Sequence, residues 1–173
     1  MTLTLRMARG ADAREVHAIY AHHVATGYGS FDEVAPPVEE MAARILETLG
    51  KDLPFLVAER DGRIIGWASA GAFRPRIAYR FTLEDSVYVA PDAMGHGVGR
   101  ALLMGVVEAA SRGAWRQMIA AIGGGEQLNP GSVALHRACG FTVQGTLHGV
   151  GWKHGGWVDL ILMQRPLGPT PLA

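Results

Sequence analysis

Apolar and polar residues alternate in some segments of the chain and recur at helical spacing in others. Strict alternation predicts a strand, whereas apolar residues three or four positions apart predict a helix. Because strands lie both before and after helices, we predict a mixed α/β sheet with helices on both faces. The seven predicted strands are 2–7, 55–59, 63–73, 81–89, 116–122, 141–149 and 157–164, and the three or four predicted helices are 12–26, 38–49, 100–112 and the short 132–139.

Local signals refine the boundaries of these elements. Asp12, with Glu15 three residues later, predicts a capping box at the start of the first helix. The Asp-Gly pair at 61–62 predicts a hairpin turn. Two glycine-rich segments predict loops, a flexible one at 123–132 and one between the last two strands at 148–156.

The stretch 84–112 combines a strand, a glycine-rich loop and a helix. Gly95, Gly97 and Gly99 alternate directly before the helix, so backbone N–H groups can approach a ligand closely. The free N–H groups and the dipole of a helix N-terminus favour an anion. We therefore predict a phosphate or pyrophosphate site, with a loop that needs glycine only to turn as the alternative. The loop lacks the lysine of a phosphate-binding loop and the third glycine of a dinucleotide fingerprint.

Composition narrows the class of protein. The 173 residues suit one domain, with 49% hydrophobic and 18% charged residues. The formal net charge is zero, which argues against a nucleic-acid or anionic membrane partner. Residues 1–10 lack the apolar core of a signal peptide, and no apolar run reaches the length of a membrane span. A cytoplasmic enzyme is expected.

No metal site is expected from the sequence. Cys139 is the only cysteine, so neither an intrachain disulfide nor a zinc-type cysteine cluster can form. His17, His22 and His23 lie on the first predicted helix, but no carboxylate stands at matching spacing. We interpret these histidines as solvent-exposed helix residues.

Six segments in order resemble the GNAT superfamily of acyl-CoA-dependent N-acetyltransferases, and within it the phosphinothricin and methionine sulfoximine acetyltransferase branch. The resemblance covers nearly the whole chain. The segments are S-F-D-E-V-A-P at 30–36, F-R-P-R-I-A-Y-R at 73–80, T-L-E-D-S-V-Y-V at 82–89, the glycine loop, L-H-R-A-C-G-F at 135–141 and V-G-W-K-H-G-G-W-V-D at 150–159.

The resemblance implies a twisted, mostly antiparallel sheet that is splayed to hold acetyl-CoA. It also implies a homodimer. The length and the Pro-rich C-terminus predict a single domain over residues 1–165, followed by a C-terminal tail at 166–173. The acceptor would be a small, amino-acid-like molecule.

The resemblance further implies which residues bind the acetyl-CoA. Val87, Tyr88 and Val89 would run beside the pantetheine arm as a neighbouring strand does. The glycine loop would hold the pyrophosphate, and Asn129 and Ser132 would reach the far side of the cosubstrate. Met94 departs from the superfamily pattern, which has Gln or Arg at that place. The residues of the loop are Gly95, His96, Gly97, Val98, Gly99 and Arg100.

The resemblance places the general base at Glu84. The strand period puts this carboxylate on the same face as Ser86, and the alternative is a solvated residue at the strand edge. His136 stands where the superfamily often has a tyrosine acid, and it is either the general acid or a structural neighbour of the site. Cys139 could instead form an acetyl-cysteine intermediate, although a buried free cysteine usually serves packing.

The acceptor site is expected on three further segments. The guanidinium groups of Arg74 and Arg76 suit a carboxylate or phosphinate, and the resemblance implies that they bind the acceptor. From the residues alone, the favoured interpretation is solvated loop arginines. Phe31 and Glu33 are expected as lid or pocket residues, and Lys153 near the acceptor. The expected reaction is acetylation of the α-amino group of a small amino acid or glutamate analogue. Alternatives are another amine, such as a peptide N-terminus, or an acyl-CoA sensor without turnover; the charge balance and the arginine pair argue against a polyamine.

Overall fold

A computed structural model describes residues 2–168, and this part of the chain forms one seven-stranded sheet. Neighbouring strands are antiparallel except for the central pair, β4 and β5, which is parallel. The predicted mixed, mostly antiparallel sheet is thereby confirmed. In the spatial order β1-β2-β3-β4-β5-β7-β6, the strands are β1 (Thr4–Met7), β2 (Phe55–Arg60), β3 (Arg63–Ala72), β4 (Thr82–Val89), β5 (Gln117–Gly123), β6 (Thr142–Lys153) and β7 (Gly156–Pro166).

Within the described part of the chain, five α-helices flank the sheet, one more than the largest number predicted. The additional helix, α4, lies inside the segment predicted as a flexible loop. Its first turn closes because the Leu128 amide donates to the Gly124 carbonyl across 3.0 Å, and Gly124 reaches the required backbone conformation at φ 86°. The helices are α1 (Ala13–Thr26), α2 (Val38–Gly50), α3 (Val98–Ser111), α4 (Gly125–Leu128) and α5 (Pro130–Ala138).

Adjacent residues of β3 show that helices cover both faces of the sheet. The Trp67 ring packs against Tyr20 of α1, with ring centroids 5.9 Å apart. On the other face, a Cβ at Gly66 would lie 2.9 Å from the Leu102 side chain of α3, so a larger residue there would push α3 away. Burying a leucine such as Leu102 fully contributes roughly 1.5–3 kcal/mol, and α3 contributes several such residues.

Asp12 is the N-cap residue of α1, as predicted, but the predicted capping box with Glu15 is wrong. The Asp12 carboxylate instead accepts from the Arg6 guanidinium at 2.7 and 3.0 Å and from the Arg9 amide at 2.7 Å. The hydrogen bond from Arg6 chiefly lowers the pKa of Asp12. Glu15 accepts from the Ile64 amide at 2.9 Å and so ties α1 to β3. A cation on β1 therefore outcompetes the local cap.

The C-terminal hairpin is longer than predicted. β6 and β7 meet at a two-residue turn, His154-Gly155, whose φ angles of 51° and 78° are both left-handed. Most of the segment 148–156, which was predicted as a loop, is therefore strand. The pairing of β6 with β7 shifts register at two places along β6. β7 continues to Pro166 and Leu167 is buried, so these two residues of the expected tail belong to the sheet region, whereas 169–173 lie outside the described residues.

β6 is an edge strand whose side chains are largely exposed in a single chain. Its large exposed apolar residues are Val143, Leu147, Val150 and Trp152. Trp152 lies edge-to-face with the exposed Trp157 of β7, with ring centroids 5.1 Å apart. Among the described residues, no helix is both long enough and apolar enough to cross a membrane.

Candidate active site

The two central strands separate partway along their length and open a cavity between them. β4 pairs with β5 only from Thr82 opposite Gln117 to Glu84 opposite Ile119. Beyond Glu84 the strands diverge, so the backbone of residues 85–89 has no strand partner on that side. The opening is a cavity of about 730 Å³. Its walls come from β4, β5, the loop after α1, the glycine loop and the region of α4 and α5.

Twelve of the sequence-predicted site residues line this cavity. The remaining six do not: His96, Val98, Glu33, Arg74, Arg76 and Lys153. The lining residues are Phe31, Glu84, Val87, Tyr88, Val89, Gly95, Gly97, Gly99, Arg100, Asn129, Ser132 and His136.

The glycine loop leaves the N-terminus of α3 open towards the cavity. Gly95 and Gly97 both have φ of 78°, and an added Cβ at either would meet no heavy atom within 4 Å. Gly97 is the N-cap, and Ala101 is the first residue whose amide bonds back to its carbonyl, at 3.0 Å. The amides of 98–100 therefore have no partner within the helix and can bind an anion. Val98 itself turns into the core.

Glu84 lies at the point where the two strands part. Its side chain is half-buried, and burial raises the pKa of its carboxyl. The neighbouring charge of Asp85 also raises this pKa, whereas the charge of Arg74 lowers it. A carboxylate with a raised pKa is suited to act as a general base near neutral pH.

His136 is buried in the opposite wall, on α5. Its Nδ1 lies 2.7 Å from the Ser132 carbonyl oxygen, and its Nε2 lies 3.0 Å from Oδ2 of Asp85. Asp85 was not among the site residues predicted from the sequence. Side chains of consecutive strand residues point to opposite faces of the sheet, so Glu84 and Asp85 have different neighbours. The strand pattern therefore indicated that Asp85 would need its own hydrogen-bond partner.

Comparison with known proteins decides the family. The family described as "Acetyltransferase (GNAT) domain" matches residues 5–162. The chain is similar to the phosphinothricin N-acetyltransferase of Alcaligenes faecalis, with 54% identity over 98% of this chain and 86% of that one. It is 36% identical to the L-methionine sulfoximine/L-methionine sulfone acetyltransferase of Pseudomonas aeruginosa PAO1, over 98% of each chain.

A solved structure shows the same fold. The GNAT superfamily phosphinothricin acetyltransferase of Sinorhizobium meliloti, in complex with AcCoA, superposes with a TM-score of 0.94. The two sequences are 46% identical, and the superposition covers 100% of this chain and 92% of the Sinorhizobium chain. The chain belongs to the GNAT acetyltransferase family. The resemblance inferred from sequence and the GNAT fold are confirmed.

In this GNAT acetyltransferase, Phe31 closes one side of the cavity by packing on two glycines. An added Cβ would lie 2.6 Å from the Phe31 ring at either Gly123 of β5 or Gly151 of β6. A side chain at either position would push the ring away. Phe31 thus bridges the strands on both sides of β7, while Glu33 is exposed beyond the cavity.

The three predicted cationic acceptor residues occupy different environments. Arg74 and Arg76 are exposed, and the Arg74 guanidinium stacks on the Phe73 ring at 4.9 Å. Arg74 still acts on Glu84 through its charge. Lys153 is buried, and its Nζ donates to the Ser30 carbonyl at 2.5 Å. Lys153 therefore holds the loop that forms the cavity wall.

The interpretation of the α1 histidines as solvent-exposed is wrong for two of them. His23 lines the cavity, and its Nε2 lies 2.7 Å from the Val89 carbonyl oxygen, to which it donates. Burial lowers the pKa of His23, which favours the neutral ring. Nε2 of His17 contacts the Pro36 carbonyl at 2.8 Å. The spacing of His23, three residues after the buried Tyr20, was the available signal.

The far end of the cavity is shaped by Asn129 and Ser132. The Asn129 side-chain amide donates to the Gly123 carbonyl at 3.2 Å, which fixes the end of β5 against the start of α5. Ser132 lies one turn before His136 on the same helix face. Within residues 2–168, no group of three His, Cys, Asp or Glu side chains is arranged to hold a metal ion.

Proposed function

We propose that the chain transfers the acetyl group of acetyl-CoA directly to the α-amino group of a small amino acid or glutamate analogue. Phosphinothricin, methionine sulfoximine and methionine sulfone are the proposed acceptors. The observation that carries the proposal is the position of Glu84, a carboxylate with a raised pKa at the point where β4 and β5 separate. The acetylation of these compounds by relatives, as their names state, supports the choice of acceptor.

The cavity suits acetyl-CoA at both of its ends. Val87, Tyr88 and Val89 have backbone groups without a strand partner on the side of β5, so the pantetheine arm can lie along them like a short strand. The open N-terminus of α3 suits the pyrophosphate, with the exposed Arg100 beside it. Met94, which is 51% exposed, offers apolar contact in place of a hydrogen bond.

In the proposed reaction, the neutral amine attacks the thioester carbon. The C–N bond forms as the C–S bond breaks, the Glu84 carboxylate takes a proton from the amine nitrogen, and His136 gives a proton to the sulfur. Glu84 then loses its proton to solvent and His136 regains one, which restores both groups. Buried Cys139 is not needed in this scheme, because burial raises the pKa of its thiol and keeps it a poor nucleophile.

Arg74 and Arg76 are proposed to bind the acceptor carboxylate. The charge of Arg74 acts on Glu84, and neither guanidinium group forms an ion pair among the described residues. Phe31 covers the acceptor, and Glu33 lies on the same loop. Lys153 contributes by holding that loop through Ser30 rather than by touching the acceptor.

The proposal is tested by incubating the protein with acetyl-CoA and a panel of acceptors. The panel contains the three proposed compounds, the common amino acids and a peptide with a free N-terminus, and free CoA thiol and acetylated product are both measured. We expect product only from the free amino-acid-like acceptors. Product from the peptide alone would overturn the proposed acceptor class, and CoA binding without any product would overturn the proposed reaction.

We further propose that the protein is cytoplasmic and forms a homodimer. The exposed apolar residues of β6 and the Trp152–Trp157 pair support a second copy as the partner. Sedimentation of the wild-type protein beside a Trp157→Glu variant tests this. A wild-type monomer at micromolar concentration would contradict the homodimer.

A further inference from the structure

Asp85 and His136 form a buried pair in the wall of the cavity. Nε2 and Oδ2 are 3.0 Å apart, and the side chains of His136 and Asp85 are only 3% and 2% exposed. Asp85 follows Glu84 directly, so the two carboxylates leave β4 on opposite faces. One carboxylate faces the proposed amine side, and the other faces α5.

The hydrogen-bond partners of His136 determine how many protons its ring carries. Nδ1 lies 2.7 Å from the Ser132 carbonyl oxygen, which can only accept, so Nδ1 must carry a hydrogen. The Ser132 hydroxyl is farther away, at 3.4 Å. Nε2 then faces a carboxylate oxygen, which is also an acceptor. A second proton is therefore required between Nε2 and Asp85.

The surroundings of the pair keep this second proton in place. Burial disfavours a charged imidazolium, but the hydrogen bond and charge of Asp85 outweigh it, and the pKa of His136 is raised. The edge of the His136 ring meets Phe141 at a centroid distance of 5.1 Å. The charge of Asp85 also acts on Glu84 and Tyr88 of β4 and on Cys139 after α5. Arg100 and Arg165 act in turn on Cys139.

Asp85 also has an unused oxygen. Its Oδ1 is buried and has no hydrogen-bond partner among the described residues. A purely structural carboxylate would be expected to satisfy both oxygens, since an unpaired buried acceptor is costly. Among the described residues, the side chain of Asp85 therefore forms its hydrogen bond with the His136 ring alone.

We propose that Asp85 is a positioning residue of the acetyl transfer, which keeps His136 doubly protonated and thereby makes it the proton donor for the departing thiolate. As the C–S bond breaks, the Nε2–H proton leaves its hydrogen bond to Asp85 and bonds to the CoA sulfur. The lone pair of Nε2 then faces the Asp85 carboxylate, and this negative charge draws a proton from solvent back onto the ring. The role in the reaction rests on the proposed function, whereas the protonation of the pair does not.

Two measurements on the full-length protein test the inference. Histidine-labelled protein is first examined by nitrogen NMR at pH 7.5, with the His136 signal assigned from a His136→Asn variant. The pH dependence of kcat is then compared between wild type, Asp85→Asn and Asp159→Asn. Asp159 is the matched control because its carboxylate lies 2.9 Å from the ring of His148 in an exposed pair.

We expect both ring nitrogens of His136 to be protonated in the wild type at pH 7.5. An asparagine side chain cannot hold a charge, so Asp85→Asn should move the alkaline limb of kcat to lower pH and reduce kcat at pH 8 by about tenfold. The KM for acetyl-CoA should stay within about twofold of wild type, because the change is in the proton rather than in cosubstrate binding. Asp159→Asn should leave the profile unchanged.

A singly protonated His136 in the wild type would overturn the inference, even if Asp85→Asn fails to fold. An unchanged alkaline limb in a folded Asp85→Asn protein would also overturn it. A wild-type protein that acetylates no amine, although His136 is doubly protonated, would overturn the proposed function. The catalytic role of Asp85 would then be overturned with it, whereas the protonation of the pair would stand.

Discussion

The buried ammonium of Lys153 donates to the carbonyl oxygen of Ser30 across 2.5 Å, although 123 positions separate the two residues in the chain. This contact joins the end of β6 to the loop that forms one wall of the cavity. Burial lowers the pKa of Lys153, because removing the charged ammonium from water is unfavourable. The hydrogen bond to Ser30 offsets part of this desolvation penalty. Ser30 is also bound through its hydroxyl, which lies 2.7 Å from the Tyr20 hydroxyl.

Replacing Lys153 with methionine should loosen this loop. Methionine keeps the apolar stem but loses a hydrogen bond from a charged group, which contributes about 1.5–3 kcal/mol. We expect faster amide hydrogen exchange in residues 27–33 and a higher KM for the acceptor. Lys51, the other lysine, is an exposed partner of Glu47, so Lys51→Met is the matched control. Equal exchange in the two variants would contradict the role of Lys153.

Replacing Arg74 with alanine should shift the acid limb of the rate profile. Glu84 must be ionised to accept a proton, so activity falls as pH drops through its pKa. The charge of Arg74 lowers this pKa, and its removal should raise the pKa and move the acid limb to higher pH. Arg76→Ala should raise the KM for the acceptor without moving this limb. The measurement is the pH dependence of kcat/KM, and an acid limb that moves to lower pH in Arg74→Ala would refute the assignment.

Alanine at Gly97 should weaken acetyl-CoA binding specifically. A non-glycine residue in the left-handed region costs about 1–2 kcal/mol, and its methyl group would project at the open helix N-terminus. Gly62 in the β2–β3 turn has φ of 77°, against 78° at Gly97, and also has open space around an added Cβ. Gly62→Ala should therefore lose similar stability but bind acetyl-CoA normally in calorimetry. Equal dissociation constants in the two variants would contradict an anion site at this loop.

Replacing Cys139 with alanine should leave most of the turnover intact. The thiol is buried, and burial raises its pKa, so the nucleophilic thiolate is scarce. Loss of the side chain should lower stability by about 1 kcal/mol, as for other small core truncations. Activity is measured alongside the intact mass of the enzyme mixed with acetyl-CoA. An acetylated wild-type enzyme and an inactive but folded Cys139→Ala variant would support a covalent route instead.

Elements that depend on neighbouring residues could be predicted from the sequence, and contacts between distant segments could not. The Asp61-Gly62 turn and the end of α1 before Gly27 follow from local backbone preferences. The position of Asp12 as N-cap was predicted correctly, but the capping box was not, because Arg6, on another element, binds the same carboxylate. The turn at His154-Gly155 was missed because a histidine at positive φ is uncommon.

The same distinction applies to the site. The glycine loop is contiguous with the strand and helix around it, so its geometry was predictable. The Asp85–His136 pair joins residues 51 positions apart, and the environment of Lys153 depends on a loop near the start of the chain. The sequence pattern does not reveal which distant residue either side chain contacts. The exposure of Arg74 and Arg76 likewise depends on how the segment after β3 folds away from the sheet.

The most direct test of the central claim is the rate of methionine sulfoximine acetylation by a Glu84→Gln variant. Glutamine keeps the shape of the side chain but cannot accept the amine proton, so kcat should fall by about 10²–10⁴-fold. The dissociation constant for acetyl-CoA should not change. A Glu84→Gln protein that acetylates methionine sulfoximine within about threefold of the wild-type rate would contradict the account.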